Sequence, residues 1–133
     1  MEQGQFEQVR EVRGEIVAIL DRSGSMADCV SDTIGGFNAF VERQRLEGLG
    51  LRLTTVLFDD RYEVLHRGVP LLAVEPLTGR EYFVRGSTAL LDAVGRGIGE
   101  TMMRIMTLPD DEKPRRVVVL IITDGMENAS REF

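Results

Sequence analysis

Asp21, Ser23 and Ser25 stand at alternate positions directly after an uninterrupted apolar run, Ile16 to Leu20. One carboxylate and two hydroxyls so spaced are hard oxygen donors, and hard oxygens suit Mg²⁺ or Mn²⁺. A second apolar run, Val117 to Ile122, stops in the same manner at Thr123-Asp124-Gly125. Between the two runs, Thr88 opens a long segment of helical periodicity. Two carboxylates (Asp21, Asp124) and three hydroxyls (Ser23, Ser25, Thr88), with water, are enough for an octahedral shell. Two negative charges against a divalent cation leave the metal electrophilic and open to one more anionic ligand from outside.

Whether these groups meet depends on the elements that carry them. Ile16 to Leu20 and Val117 to Ile122 lack polar alternation, so each reads as a strand buried on both faces. Between them, Val30, Ile34, Phe37 and Val41 form one helical stripe over Cys29 to Glu42. Ser31 or Asp32 suits the helix start, and Gly35 and Gly36 would let the helix approach the sheet closely. Leu51 to Phe58 reads as the second strand, Asp59-Asp60 as a turn, and Tyr62 to His66 as a third strand hairpinned to the second. Pro70, Pro76 and Gly79 break the chain after it, leaving room for a short helical turn at Leu71 to Val74. A helix follows from Ala89 to Met106, with Leu91, Val94, Ile98 and Ile105 on its buried face, Ser87 or Thr88 as N-cap, and Gly95, Gly97 and Gly99 allowing close packing. Pro109 to Pro114 is a charged loop.

These elements predict an α/β domain: a mostly parallel sheet with one antiparallel edge strand, flanked by helices. Open sheets of this kind place ligand sites beyond the carboxyl ends of their strands. The strands before Asp21 and Asp124 should be neighbours, so both acids emerge on one rim. The helix opened by Thr88 must return along the sheet into the strand before Asp124, which brings that hydroxyl to the same rim.

Asp21-x-Ser23-Gly24-Ser25-Met26, Thr88 within GSTALLDA and Asp124 within ITDG together resemble the von Willebrand factor A domain family, which carries a metal-ion-dependent adhesion site. The resemblance runs from Glu15 to Ser130. It implies a Rossmann-like, doubly wound sheet with Mg²⁺ (or Mn²⁺) at its top. It further implies that Ser23, Ser25 and Thr88 coordinate through their hydroxyls, that Asp21 and Asp124 bind directly or through water, and that an Asp or Glu carboxylate of a partner protein completes the shell. Family members continue past the ITDG segment with two more strands. Residues 1–14 read as a polar lead-in, and the resemblance implies a domain over 15–133 whose C-terminal part is apparently missing. The strand ending at Ile122 would then be an exposed edge that invites pairing with another chain: either the natural protein is longer, or a second copy completes the domain, or the edge is otherwise covered.

Composition narrows the remaining classes. The chain has 133 residues, 43% hydrophobic and 29% charged, enough for one domain with a core. A net charge of -6 argues against nucleic acid as the partner, since phosphate contacts want a basic face. Cys29 is the sole cysteine, which excludes an internal disulfide and a thiolate cluster. No apolar run approaches the roughly 20 residues of a membrane span. The polar first fifteen residues do not resemble a secretory signal, so the expected location is cytoplasmic.

Taken singly, each motif has an ordinary reading: Asp21, Ser23 and Ser25 as loop residues, Thr88 as an N-cap, Asp124-Gly125 as a turn. The ordered set favours a metal-dependent protein-binding module over its rivals. One rival is a Mg²⁺-dependent phosphatase-like hydrolase using Asp21. It wants a second acid where Ser23 stands, and a lysine, of which Lys113 is the only one. A serine hydrolase would need a base near Ser23 or Ser25, and His66 is the sole histidine. The expectation is thus no catalysis. The other rival is an interaction scaffold without metal.

Overall fold

The structure, a computed structural model, describes residues 14–47, 50–124 and 130–131. A short edge strand expected around Phe6 to Val12 lies outside them, as does most of the segment after Asp124. The strands are β1 (Gly14–Asp21), β2 (Leu51–Phe58), β3 (Tyr62–Pro70) and β4 (Arg116–Ile122); the helices are α1 (Val30–Glu47) and α2 (Leu90–Met106). Short 3-10 turns occupy Gly24–Cys29, Leu71–Ala73 and Asp110–Glu112. The four strands form one mixed sheet in the order β3-β2-β1-β4. β1 is parallel to β2 and to β4, and β3 is antiparallel to β2 at one edge.

β1 is buried along its whole length, which is why its sequence does not alternate. Ile16, Ala18 and Leu20 point into a core with Phe37 and Val41 of α1 and Leu53 and Leu57 of β2. Val17 and Ile19 point the other way, to Val56, Phe58 and Ala93 of α2. The two helices therefore cover opposite faces, and the stripe Val30, Ile34, Phe37, Val41 is the one α1 turns inward. The first face is closed further by Leu71, Val74, Leu77 and Tyr82 from the irregular segment after β3. Glu15 is buried with the apolar residues because Thr54 Oγ1 donates to it (2.8 Å) and Arg104 of α2 forms an ion pair with it.

Helix α2 differs from expectation in its register. Leu91 and Ile98 are exposed, and the buried residues are Ala93, Gly97, Thr101 and Ile105. The buried stripe is one of small residues because α2 sits close on β1: a Cβ built at Gly97 would lie 3.2 Å from Cδ1 of Ile19. Large apolar residues do not fit beside Ile19, so apolarity misplaced Leu91 and Ile98, whereas Ile105 is buried and Val94 packs on the core as expected. The helix starts at Leu90 after Ala89, with no side-chain cap; neither Ser87 nor Thr88 is its N-cap. Gly35, Gly36 and Gly99 meet nothing within 4 Å, so close packing is confined to Gly97 among the glycines tested in the two helices.

Two glycines two residues apart should therefore respond oppositely. Gly97→Leu forces volume against Ile19 and should destabilise by about 1–3 kcal/mol. Gly99→Ala adds helix propensity in open space and should stabilise by about 1 kcal/mol. Urea midpoints at constant slope would show both shifts.

Candidate metal centre

Parallel pairing of β1 with β4 sets Leu20 opposite Ile122. Asp21 and Thr123-Asp124 therefore leave the sheet side by side at its carboxyl rim. Their adjacency is direct: Thr123 Oγ1 donates to Asp21 Oδ2 at 2.8 Å. The backbone N–H of Ser23 donates to Asp21 Oδ1, also at 2.8 Å, which turns the chain sharply and presents Ser23 and Ser25 on one side. Their Oγ atoms are 3.0 Å apart. Asp21, Ser23 and Thr88 are buried, whereas Ser25 and Asp124 are exposed.

Thr88 reaches the rim by backbone ties, not by a helix cap. The Gly24 N–H donates to the Gly86 carbonyl (3.0 Å), and the Arg85 N–H to the Arg22 carbonyl (2.8 Å). On its other side, the Ala89 N–H donates to the Asp59 carbonyl (2.9 Å). Thr88 lies between these anchors, so the loop that carries it is fastened to the loops after β1 and β2. Gly86 has φ +65, and a Cβ there would lie 2.5 Å from Asp60 Oδ1. Only glycine suits that position.

Asp59 is the residue whose role the sequence understates. Expected as a turn residue, it is fully buried. Arg85 Nε donates to its Oδ2 at 2.6 Å, and the Arg61 N–H to its Oδ1 at 2.6 Å. Arg22, also buried, holds its Nε 3.9 Å from Asp59 Oδ2 and donates from Nη1 to Glu63 at 2.7 Å. The guanidiniums of Arg22 and Arg85 both lie over the Phe83 ring, at 5.4 and 5.5 Å from its centre. Arg22 directly follows Asp21 in the chain, yet it turns to Asp59 and Glu63. A pair of acids at FDD after an apolar strand was the available signal for Asp59. Nothing local marked which of Asp59 and Asp60 is buried.

Asp21 is treated differently. Its carboxylate accepts from Ser23 N–H and Thr123 O–H, and no ion pair reaches it among the described residues. Its carbonyl accepts the Tyr82 hydroxyl. Burial raises the Tyr82 pKa; a hydrogen bond from Thr33 lowers it, and the negative fields of Asp21, Cys29 and Asp124 add to the rise. A phenol beside the site thus senses both acids.

These residues fit a small divalent cation on two counts. A buried carboxylate left with hydrogen-bond donors alone favours a cation beside it. An octahedron with Mg–O bonds of about 2.1 Å has adjacent oxygens about 3.0 Å apart, the separation of the two serine hydroxyls. Among the described residues no group of three or more His, Cys, Asp or Glu is placed to hold a metal ion; the donors on this rim are two carboxylates and hydroxyls. His66 stands away from it, its Nδ1 2.9 Å from Thr55 Oγ1 in the sheet.

No protein-family model matches the chain, and no curated protein matches it. Among solved structures, it is similar to the three N-terminal domains of the type V pili tip protein Mfa5 from Porphyromonas gingivalis, with a TM-score of 0.65 at 17% identity. The match covers 88% of this chain and 20% of that one. Likeness at this identity concerns the fold alone.

Two measurements probe the rim and the strand beside it. Asp59→Ala strips a buried anion from two guanidiniums and should cost about 3–5 kcal/mol, whereas Asp60→Ala, at an exposed position, should stay within about 0.5 kcal/mol; urea unfolding compares them. His66 has its pKa lowered from 6.5 by burial, partly offset by Glu81. The unfolded chain then takes up the proton first, so stability is complete above about 6.5 and falls as the pH drops from there towards the folded pKa. Melting temperatures across mildly acidic pH should show His66→Gln losing that part of the decline.

Proposed function

We propose that this chain is a metal-dependent protein-binding module of the von Willebrand factor A type, with a Rossmann-like, doubly wound sheet. The observation that carries the reading is the buried Asp21 carboxylate, held by two hydrogen-bond donors and, among the described residues, by no cationic side chain, beside two serine hydroxyls at the edge length of a magnesium octahedron. Asp21, Ser23, Ser25, Thr88 and Asp124 would hold Mg²⁺ or Mn²⁺. When bound, the ion supplies a Lewis-acidic position for an Asp or Glu carboxylate of a partner protein.

The chain's own residues do the remaining work. Ser23 and Thr123 aim both oxygens of Asp21 by hydrogen bonding. The Asp59, Arg85 and Arg22 cluster fastens the Thr88 loop to the rim. Ser25 and Asp124 are exposed, so a partner can approach from that side. Neutral hydroxyls in most ligand positions keep the site's net charge low and leave affinity for an external anion. No helix among the described residues is long and apolar enough to cross a membrane; the reading is of a cytoplasmic module that partners protein, not nucleic acid or lipid.

The hydrolase alternative finds less support. Lys113 precedes β4, at the end of the sheet opposite Asp21, and its ammonium donates to Asp110 at 3.0 Å. The reading is therefore of a binding module without catalysis.

Titration with Mg²⁺ or Mn²⁺, followed by thermal unfolding, tests the metal step. Saturation at 100 times the dissociation constant should add about 2.7 kcal/mol to stability and raise the melting temperature. Asp21→Ala and Thr88→Ala should each remove the rise. A melting curve indifferent to both metals would overturn the reading, and it would leave a scaffold without metal. Capture of a partner in Mg²⁺ and its release by chelator test the second step.

A further inference from the structure

Asp59 stands between two arginines that hold it unequally. Arg85 Nε donates to its Oδ2 at 2.6 Å. Arg22 Nε lies 3.9 Å from the same oxygen, is buried, and has no hydrogen-bond partner. Unmet buried donors are rare, because they lose their hydration without compensation. Arg22 is otherwise held in place: its Nη1 donates to Glu63 and its guanidinium lies over the Phe83 ring. A movement of about 1 Å would bring its Nε within hydrogen-bond range of Asp59.

Arg85 is the less committed of the two. Its side chain is 39% exposed, against 1% for Arg22. Its Nε is bonded to Asp59, whereas its Nη groups make no hydrogen bond among the described residues. It shares the Phe83 ring with Arg22, and that ring is itself exposed. Backbone bonds set Arg85 beside the candidate metal centre. Its N–H donates to the carbonyl of Arg22, the residue between Asp21 and Ser23. The next residue, Gly86, accepts from the N–H of Gly24, which stands between Ser23 and Ser25.

We propose that Arg85 is a second anion-binding point beside the metal, taking a further carboxylate of the partner, and that Arg22 is the reserve cation that frees it. The inference rests on the metal-dependent reading above and names the class of partner: a segment with at least two acidic side chains, one for the ion and one for the guanidinium. A buried carboxylate stripped of its counter-charge is strongly destabilising, so Arg85 cannot simply leave Asp59. Arg22 removes that obstacle. As Arg85 turns its Nη groups to the incoming carboxylate, Asp59 Oδ2 accepts from Arg22 Nε, and that donor gains the partner it lacks. A guanidinium suits a carboxylate because two parallel N–H groups meet two oxygens. Charge favours the same occupant. The chain carries a net -6 and repels anions at range, so an acidic partner needs a solvent-facing cation near the ion.

Two capped peptides probe the full chain in excess Mg²⁺: hexaglutamate, which offers a second carboxylate at every short spacing, and a glutamine peptide of the same length with one glutamate. Fluorescence anisotropy reads their affinities. In Arg85→Gln the affinity for hexaglutamate should fall about tenfold further than that for the one-acid peptide. Arg80→Gln makes the same charge change at an exposed position of the same segment, and it should move both affinities by less than about twofold. NMR of the arginine Nε–H groups in the wild type reads the exchange of partners: hexaglutamate should slow hydrogen exchange at Arg22 Nε, and the one-acid peptide should not. Should Arg85→Gln unfold, that signal decides alone. Equal losses for the two peptides, a matching loss in Arg80→Gln, an Arg22 signal that hexaglutamate leaves unchanged, or no binding of hexaglutamate would each overturn the proposal. Any of these beside a metal-dependent rise in melting temperature removes the second binding point and keeps the metal reading. A melting curve indifferent to metal, with hexaglutamate bound equally in chelator, overturns both.

Discussion

Burial of β1 on both faces, with parallel neighbours along both edges, is the constraint on which the rest of the structure depends. A strand so enclosed can carry no free charge within its length: Glu15 is paired with Arg104 and hydrogen-bonded by Thr54, and Asp21 stands at the strand's last position. Polar chemistry is pushed to where the strand emerges. Because β2 and β4 run the same way, they emerge at the same rim, and their first polar residues join Asp21 there. The site is thus a consequence of sheet topology before it is a consequence of any loop.

The rim then sorts its acids. Asp59 receives two guanidiniums and becomes part of the framework, tying the loop after β2 to the segment that carries Thr88. Asp21 receives only dipoles, from a backbone amide and a hydroxyl. Both carboxylates are buried at neighbouring strand ends, yet among the described residues one has its counter-charge and the other does not. Arg22 makes the contrast sharp: it follows Asp21 directly and spends its guanidinium elsewhere. That division of charge, more than the count of oxygens, is what supports the proposal of a cation beside Asp21.

Much of this was legible in the sequence. The uninterrupted apolar run of β1 identified an enclosed strand, because burial on both faces removes alternation; the same kind of run located β4 but misjudged its burial, since among the described strands β4 stands at the sheet edge with no buried residue. The spacing Val30, Ile34, Phe37, Val41 gave the correct face of α1, and the turn at Asp59-Asp60 made β3 antiparallel. The face of α2 was legible only in part: Val94 and Ile105 turn inward as expected, Leu91 and Ile98 do not. Its packing against Ile19 rewards small residues, so Gly97 and Ala93 are buried while Leu91 and Ile98 are exposed, and at those two positions hydrophobicity pointed outward. Asp59 was hidden for a related reason: two adjacent acids look alike in a chain, and only the approach of Arg85, 26 residues away, distinguishes them.

The chain by itself determined which oxygens follow which strands and that a hard cation would suit them, since donor chemistry and strand burial are local properties. Tertiary structure alone decided the bond from Thr123 to Asp21, across 102 residues, the backbone ties that deliver Thr88, and the assignment of the arginines to Asp59. Those are choices among partners of equal chemistry. Distance in the folded state makes them, and no pattern along the chain records it.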